Sequence, residues 1–275
     1  MQIRTFLLLT LWGIASPSLA DEVIKIPTRP GIEQSFLLLE PKTPPKGVVV
    51  MFPGHEGVVR FIRQGDTYEV ENEGGGLTSH HKMRESLRAG GYAVVLLAPP
   101  SDEQGGMKEV FRSSPEHAED VRQVIAFLGK RYPHKPYLQG HCRSTRSSAS
   151  VATRLGNDSI SGLIMSSTRS TGEHGSVMDF DKGAIRVPVL LVHHTEDQCP
   201  GTPYSNVEQL KKFYGVSAPN VELISVTGGD PNAGKSGKCQ GGAHAFKGLQ
   251  GEVARAITDW LEHKDFPRQI TGTKK

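Results

Sequence analysis

Apolar residues in this chain come in short unbroken runs, and the segments between them repeat with a helical period. The runs GVVVMFPG (47–54), YAVVLLAPPS (92–101) and VPVLLVHHT (187–195) are rich in β-branched residues, and shorter ones lie at 135–140, 160–168 and 221–229. A continuous apolar run of this length suits a strand buried on both faces, as in a parallel sheet. Between the runs, Val121, Val124, Ile125 and Leu128 recur at helical spacing, as do Val253, Ile257, Trp260 and Leu261 near the C-terminus. Ser114 before Pro115 marks a helix start. Further helices are predicted over 80–91, closed by Gly90-Gly91, over about 143–155, ended by Gly156, and over 206–214. Residues 22–47 read as two short strands around Pro30-Gly31 and a Pro/Lys loop. Residues 54–79 read as a glycine-rich polar stretch, and the helix over 251–264 closes the chain.

Alternating strands and helices imply a mostly parallel central sheet with helices on both faces. Ligands of such sheets bind beyond the C-terminal ends of the strands. Those ends are Pro53-Gly54, Pro99-Pro100, Gly140, Ser166-Ser167, His194-Thr195 and Gly228-Gly229.

The first twenty residues break the pattern. They carry one early cation, Arg4, an apolar stretch from Phe6 to Ile14, and then Ser18-Leu19-Ala20. This is the layout of a secretory signal cleaved after Ala20, and the stretch is short for a membrane span of about 20 residues. Residues 21–275 then form one domain, expected in a periplasm or outside the cell, with no membrane attachment once the signal is cleaved. A 36% apolar content in 275 residues is enough for a sizeable core. The net charge of +3, with no basic block, gives no reason to expect nucleic acid as a partner.

Export changes the reading of the three cysteines, Cys142, Cys199 and Cys239. In an oxidising compartment two are expected to pair and one to remain. Cys142 lies in Gly140-His141-Cys142-Arg143-Ser144, after a strand and before a helix. That is the spacing of a nucleophile elbow with cysteine in the central place. Gly140 meets the need for a small neighbour in a tight turn, and Ser144 stands where glycine is usual. A helix N-terminus lowers a thiol pKa and makes the reactive thiolate available. The Arg143 N–H is expected to serve as one oxyanion donor.

Such a nucleophile needs a base, and the base needs an orienting acid, in the chain order nucleophile, acid, histidine. Asp197 follows a strand end, and His244 lies in a loop before the last helix. Glu196 is the alternative acid. His193 and His194 point to opposite faces of a strand and read as packing groups. If Asp197 and His244 meet, Cys199 and Cys239 are brought together, and a disulfide between them closes a loop worth about 4 kcal/mol in the chain-entropy model. The competing reading is a zinc site using these cysteines and nearby histidines, although no short ligand pair is present. The glycines of "PGHEG" allow a second oxyanion donor at His55 or Glu56, or an ordinary turn. Residues 229–236 match a phosphate-binding loop only loosely, because no helix follows. Arg143, Arg146 and Arg169 can either flank a pocket mouth and favour an anionic substrate or be solvated surface charges.

These segments together resemble the α/β-hydrolase superfamily over essentially the whole mature chain, and most of all its exported bacterial members. The likeness is carried by "VVVMFPGHEG", "GGGLTSHHKMRESLRAGGYAVVLLAPPSD", "GHCRSTRSSASVATRL", "VPVLLVHHTEDQC" and "CQGGAHAFKG". The elbow usually holds serine in such proteins; cysteine there also occurs in the dienelactone-hydrolase-like branch. The resemblance implies an α/β-hydrolase fold without a large lid. It also implies hydrolysis of an ester or related acyl bond of a small molecule, with Cys142, Asp197 and His244 as the catalytic set and neither metal nor organic cofactor. Two alternatives accompany it: a binding protein with an impaired hydrolase site, and a redox-active thiol protein.

Overall fold

The computed structural model describes residues 21–71, 77–173, 175–230 and 239–272. The signal segment and most of the loose phosphate-loop match lie outside the described residues. Nine strands form one sheet: β1 (Glu22–Arg29), β2 (Ile32–Leu39), β3 (Gly47–Met51), β6 (Tyr92–Leu97), β7 (Tyr137–His141), β8 (Gly162–Ser166), β9 (Val189–His194), β10 (Val221–Thr227) and β11 (Gln269–Thr271). Their spatial order is β1-β2-β6-β3-β7-β8-β9-β10-β11. Pairing is antiparallel at β1–β2 and β2–β6 and parallel from β6 to β11.

Alternate residues of the apolar runs feed two separate cores. Val48, Val50, Val95 and Leu97 face one side, where they meet Val121, Val124 and Leu128 of α3 (Pro115–Arg131) and Ala149 and Val151 of α4 (Ser144–Leu155). Val49, Met51, Val94 and Leu96 face the other, against Met83 and Leu87 of α1 (Leu77–Ala89) and Val253, Ile257, Trp260 and Leu261 of α6 (Gln250–Leu261). Side chains alternate across a strand, so a run apolar at every position must be covered twice. A short helix, α2 (Glu109–Arg112), precedes α3, and α5 (Val207–Tyr214) lies between β9 and β10.

Two elements depart from the sequence reading. The stretch read as polar and irregular contains a hairpin, β4 (Arg60–Gln64) paired with β5 (Thr67–Glu71). It is largely exposed, so it lacks the apolar runs that marked the other strands. The chain also does not end at α6: β11 returns to pair with β10, and of its three residues only Ile270 is buried. Among the described residues, no helix is long and apolar enough to cross a membrane.

Candidate active site

Strand β7 stops at His141, and the chain turns sharply into α4. Cys142 sits at that bend with a left-handed φ of 53°, a conformation costly for a residue with a Cβ. Its N–H is held by the Ser166 carbonyl at 3.1 Å. Gly140 makes the bend possible: a Cβ there would lie 2.6 Å from Ser148 Oγ and 2.7 Å from the Ser144 carbonyl. Ser144 does not crowd the turn. Its buried hydroxyl accepts from the His141 N–H at 2.8 Å and donates to the His141 carbonyl at 2.9 Å, so it clamps the bend where glycine is usual.

His244 lies in a 3-10 turn, Gly242–Ala245, and is buried. Its Nδ1 is 2.9 Å from Asp197 Oδ2 and 3.2 Å from Oδ1. Asp197 follows β9, and its side chain is fully enclosed. The carboxylate also accepts from the Cys199 N–H at 2.9 Å and the Thr202 hydroxyl at 2.8 Å, which fixes its orientation. Glu196 instead points at the Gly228 N–H, 3.3 Å away. His193 Nε2 accepts from the Thr168 N–H, and burial lowers its pKa to about 4. His194 bonds the Glu196 N–H and the Gly228 carbonyl. Both histidines are therefore spent on loop structure.

The Cys142 sulfur, a ring nitrogen of His244 and the Cys199 sulfur all lie within 4.8 Å of one another. Cys199 is joined to Cys239 in a disulfide with a Cα–Cα distance of 4.7 Å, and Cys142 is the free thiol. The disulfide keeps Cys199 and Cys239 from acting as the thiolate ligands that a zinc site would use. Burial works against a thiolate at Cys142, yet His244, Arg169 and the Arg143 N–H together outweigh it and lower its pKa. Burial likewise opposes charge on His244, but the Cys142 sulfur and the Asp197 carboxylate raise its pKa. The pair thus favours thiolate and imidazolium. Cys142 is the free thiol while the Cys199–Cys239 bond is in place, so labelling read at the Cys142 peptide reports on it. Iodoacetamide should alkylate the native protein with a midpoint below the usual thiol value of about 8.5. A midpoint at or above that value would contradict a poised sulfur.

The arginines divide. Arg143 bonds Glu109 at 2.6 Å and Glu56 at 2.7 Å, and Arg146 pairs with Asp179 at 2.8 Å. Both are neutralised by structural partners. Arg169 is 7% exposed, and its Nε has no hydrogen-bond partner; its charge is felt at the sulfur.

Sequence reasoning missed Arg112, which is fully buried. Its guanidinium donates to the carbonyls of Pro53 and His55, each at 2.9 Å, to the Met107 carbonyl at 3.1 Å and to Ser147 Oγ at 3.2 Å. In a trans peptide the N–H points opposite the carbonyl, so Arg112 turns the N–H groups of Gly54 and Glu56 away from itself. His55 has a left-handed φ of 47°, and a Cβ on Gly57 would lie 2.9 Å from the guanidinium. No sequence motif marks Arg112, because its role depends on carbonyls more than fifty residues away.

No protein-family model and no curated protein matches the chain by sequence. Solved structures do match. A carboxyl esterase from Bacillus coagulans aligns with a TM-score of 0.62 at 10% identity, covering 90% of this chain and 99% of the esterase. The esterase Pf2001 of Pyrococcus furiosus gives 0.59 at 14% identity over 95% and 99%. An α-β serine hydrolase homologue from Coxiella burnetii gives 0.58 at 16% identity over 90% and 100%.

The fold is that of the α/β hydrolases.

Among the described residues the framework carries one small extra sheet, the β4–β5 hairpin, and no large lid.

Proposed function

We propose that this α/β-hydrolase-fold protein hydrolyses an ester or thioester bond of a small molecule through Cys142, His244 and Asp197. The observation that carries the proposal is the meeting of these three side chains, distant along the chain, at one end of the sheet, with the sulfur free and poised. The Cys142 thiolate attacks the acyl carbon. The oxyanion is met by the Arg143 N–H and by an N–H of the His55–Glu56 turn. His244 then gives its proton to the leaving alkoxide or thiolate, and a thioester to Cys142 remains. Water, deprotonated by His244, attacks that thioester and frees the sulfur. Asp197 holds the imidazole so that Nε2 faces the sulfur and substrate. The fold, shared with esterases, and the absence of a large lid among the described residues support a small acyl substrate. The Cys199–Cys239 disulfide supports the reading of an exported protein, in which the N-terminal segment is a cleaved signal.

The test is a panel of short-chain aryl esters and acyl thioesters, with turnover expected on at least one class. No turnover above buffer on either class, with folded protein and an alkylatable thiol, would overturn the proposal in favour of the binding-protein reading.

Arg112 acts here as a positioning residue. Arg112→Met keeps much of the volume but strands four acceptors. A loss of about 3 kcal/mol is expected from hydrogen bonds to a charged group, which is roughly 10 °C in melting temperature for a domain of this size. Turnover should fall through kcat more than through KM, because the loop it orients is assigned to the transition state. A melting-temperature drop with unchanged kcat would restrict Arg112 to stability.

A further inference from the structure

We propose that Cys142 has a second covalent chemistry: exchange with the neighbouring disulfide, which moves the bond from Cys199–Cys239 to Cys142–Cys199. The Cys142 and Cys199 sulfurs lie within 4.8 Å of each other, and a disulfide sulfur is an electrophile that a thiolate attacks. The groups that lower the Cys142 pKa, His244, Arg169 and the Arg143 N–H, serve this attack as they serve acyl transfer.

The step balances within the molecule. A bond forms between Cys142 and Cys199, the Cys199–Cys239 bond breaks, and Cys239 leaves as a thiolate that takes a proton from the His244 imidazolium or from water. No external oxidant is consumed. Burial sets the direction of each role. Cys199 is 1% exposed and Cys142 9% exposed, so the new bond is enclosed. Cys239 is partly exposed, so the leaving sulfur reaches solvent and can meet small disulfides.

The exchange does not depend on the acyl-transfer proposal; only its consequence for hydrolysis does. In the exchanged form the nucleophile is capped, and a small disulfide attacked by the Cys239 thiolate, which releases its own thiol and leaves a mixed disulfide on Cys239, would hold the protein in that form.

The test is disulfide mapping. Cleavage after Arg143, Lys211 and Lys238 places the three cysteines in separate tryptic peptides. Wild-type protein is held without reductant for hours at pH 6 and pH 9, a span that covers uncatalysed disulfide rearrangement. It is then acid-quenched, alkylated with N-ethylmaleimide and digested unreduced. A fraction with Cys239 alkylated and Cys142 linked to Cys199 is expected. That fraction should be independent of protein concentration. Alkylation confined to Cys142, with only the Cys199–Cys239 link at both pH values, overturns the proposal. A Cys239→Ser variant treated with oxidised glutathione should close Cys142–Cys199 without a stable glutathione adduct; adducts on either sulfur with no cross-link count against it. Should that variant fail to fold, the wild-type map decides. Hydrolysis enters none of these readouts, so a protein that turns over no ester can still pass, and an active esterase can still fail.

Discussion

Cys142→Ala is expected to lower hydrolysis by at least about 10³-fold, while Cys142→Ser retains a measurable fraction of wild-type turnover. Members of a nucleophile–base–acid set act as a unit, and losing the nucleophile alone costs most of the unit's contribution. Alanine leaves the bend, the Arg143 N–H and the His244–Asp197 pair in place and removes only the attacking atom. Serine restores an attacking atom in the same position. Its hydroxyl does not ionise as the thiol does, so His244 must take the proton during attack rather than before it. The electrostatics at this site, which favour an existing thiolate, therefore help serine less. Both variants should fold, since Cys142 is at the rim of the core and neither change adds volume. Comparison of kcat/KM for the three proteins, with melting temperatures alongside, is the measurement. Equal rates for alanine and wild type would remove Cys142 from the mechanism and leave the fold intact.

Much of the framework was legible because its strands are buried on both faces. β3, β6 and β9 are buried at every position, and only a covered parallel sheet requires that of a short run. β4 and β5 were illegible for the converse reason, since an exposed hairpin needs no apolar code. β11 has three residues and one buried side chain, too little for a period. At the site, Gly140 and Cys142 announced a bend through spacing, and the order along the chain pointed to His244 and to Asp197 with Glu196 as the alternative acid. Glu196 could be set aside only with coordinates, because neighbouring carboxylates on a loop differ in direction rather than in chemistry. Ser144 as a clamp, Arg112 as an anchor for the Pro53–Gly57 turn and Arg169 near the sulfur are long-range facts with no local signature. The approach of Cys142 to the disulfide belongs with them. Spacing argued that Cys199 and Cys239 would pair, but not that the third sulfur would stand beside them.

Asp197→Asn should lower kcat by on the order of 10³–10⁴-fold while leaving the fold intact. In the native site one carboxylate oxygen accepts from the Cys199 N–H, and the other accepts from the Thr202 hydroxyl and faces His244 Nδ1. All three neighbours treat Asp197 as an acceptor. An asparagine has one acceptor atom and one donor. If its oxygen stays with the Cys199 N–H, its NH₂ faces His244 Nδ1, which must then accept. The ring then keeps its single proton on Nε2 as a neutral imidazole, which cannot take the thiol's proton, and the thiolate–imidazolium pair is lost. If the amide is reversed, the NH₂ opposes the Cys199 N–H and two buried donors face each other. Either way the imidazolium loses its counter-charge, so the His244 pKa falls and the Cys142 pKa rises. Alkylation of Cys142 near neutral pH should therefore slow in parallel with hydrolysis, and its midpoint should move up. A variant that keeps half the wild-type turnover, or that loses turnover with no change in the thiol's titration, would show that Asp197 does not act through His244. Glu196→Gln, a like change one residue away on the same loop, should leave both readouts near wild type, because that carboxylate is directed at the Gly228 N–H.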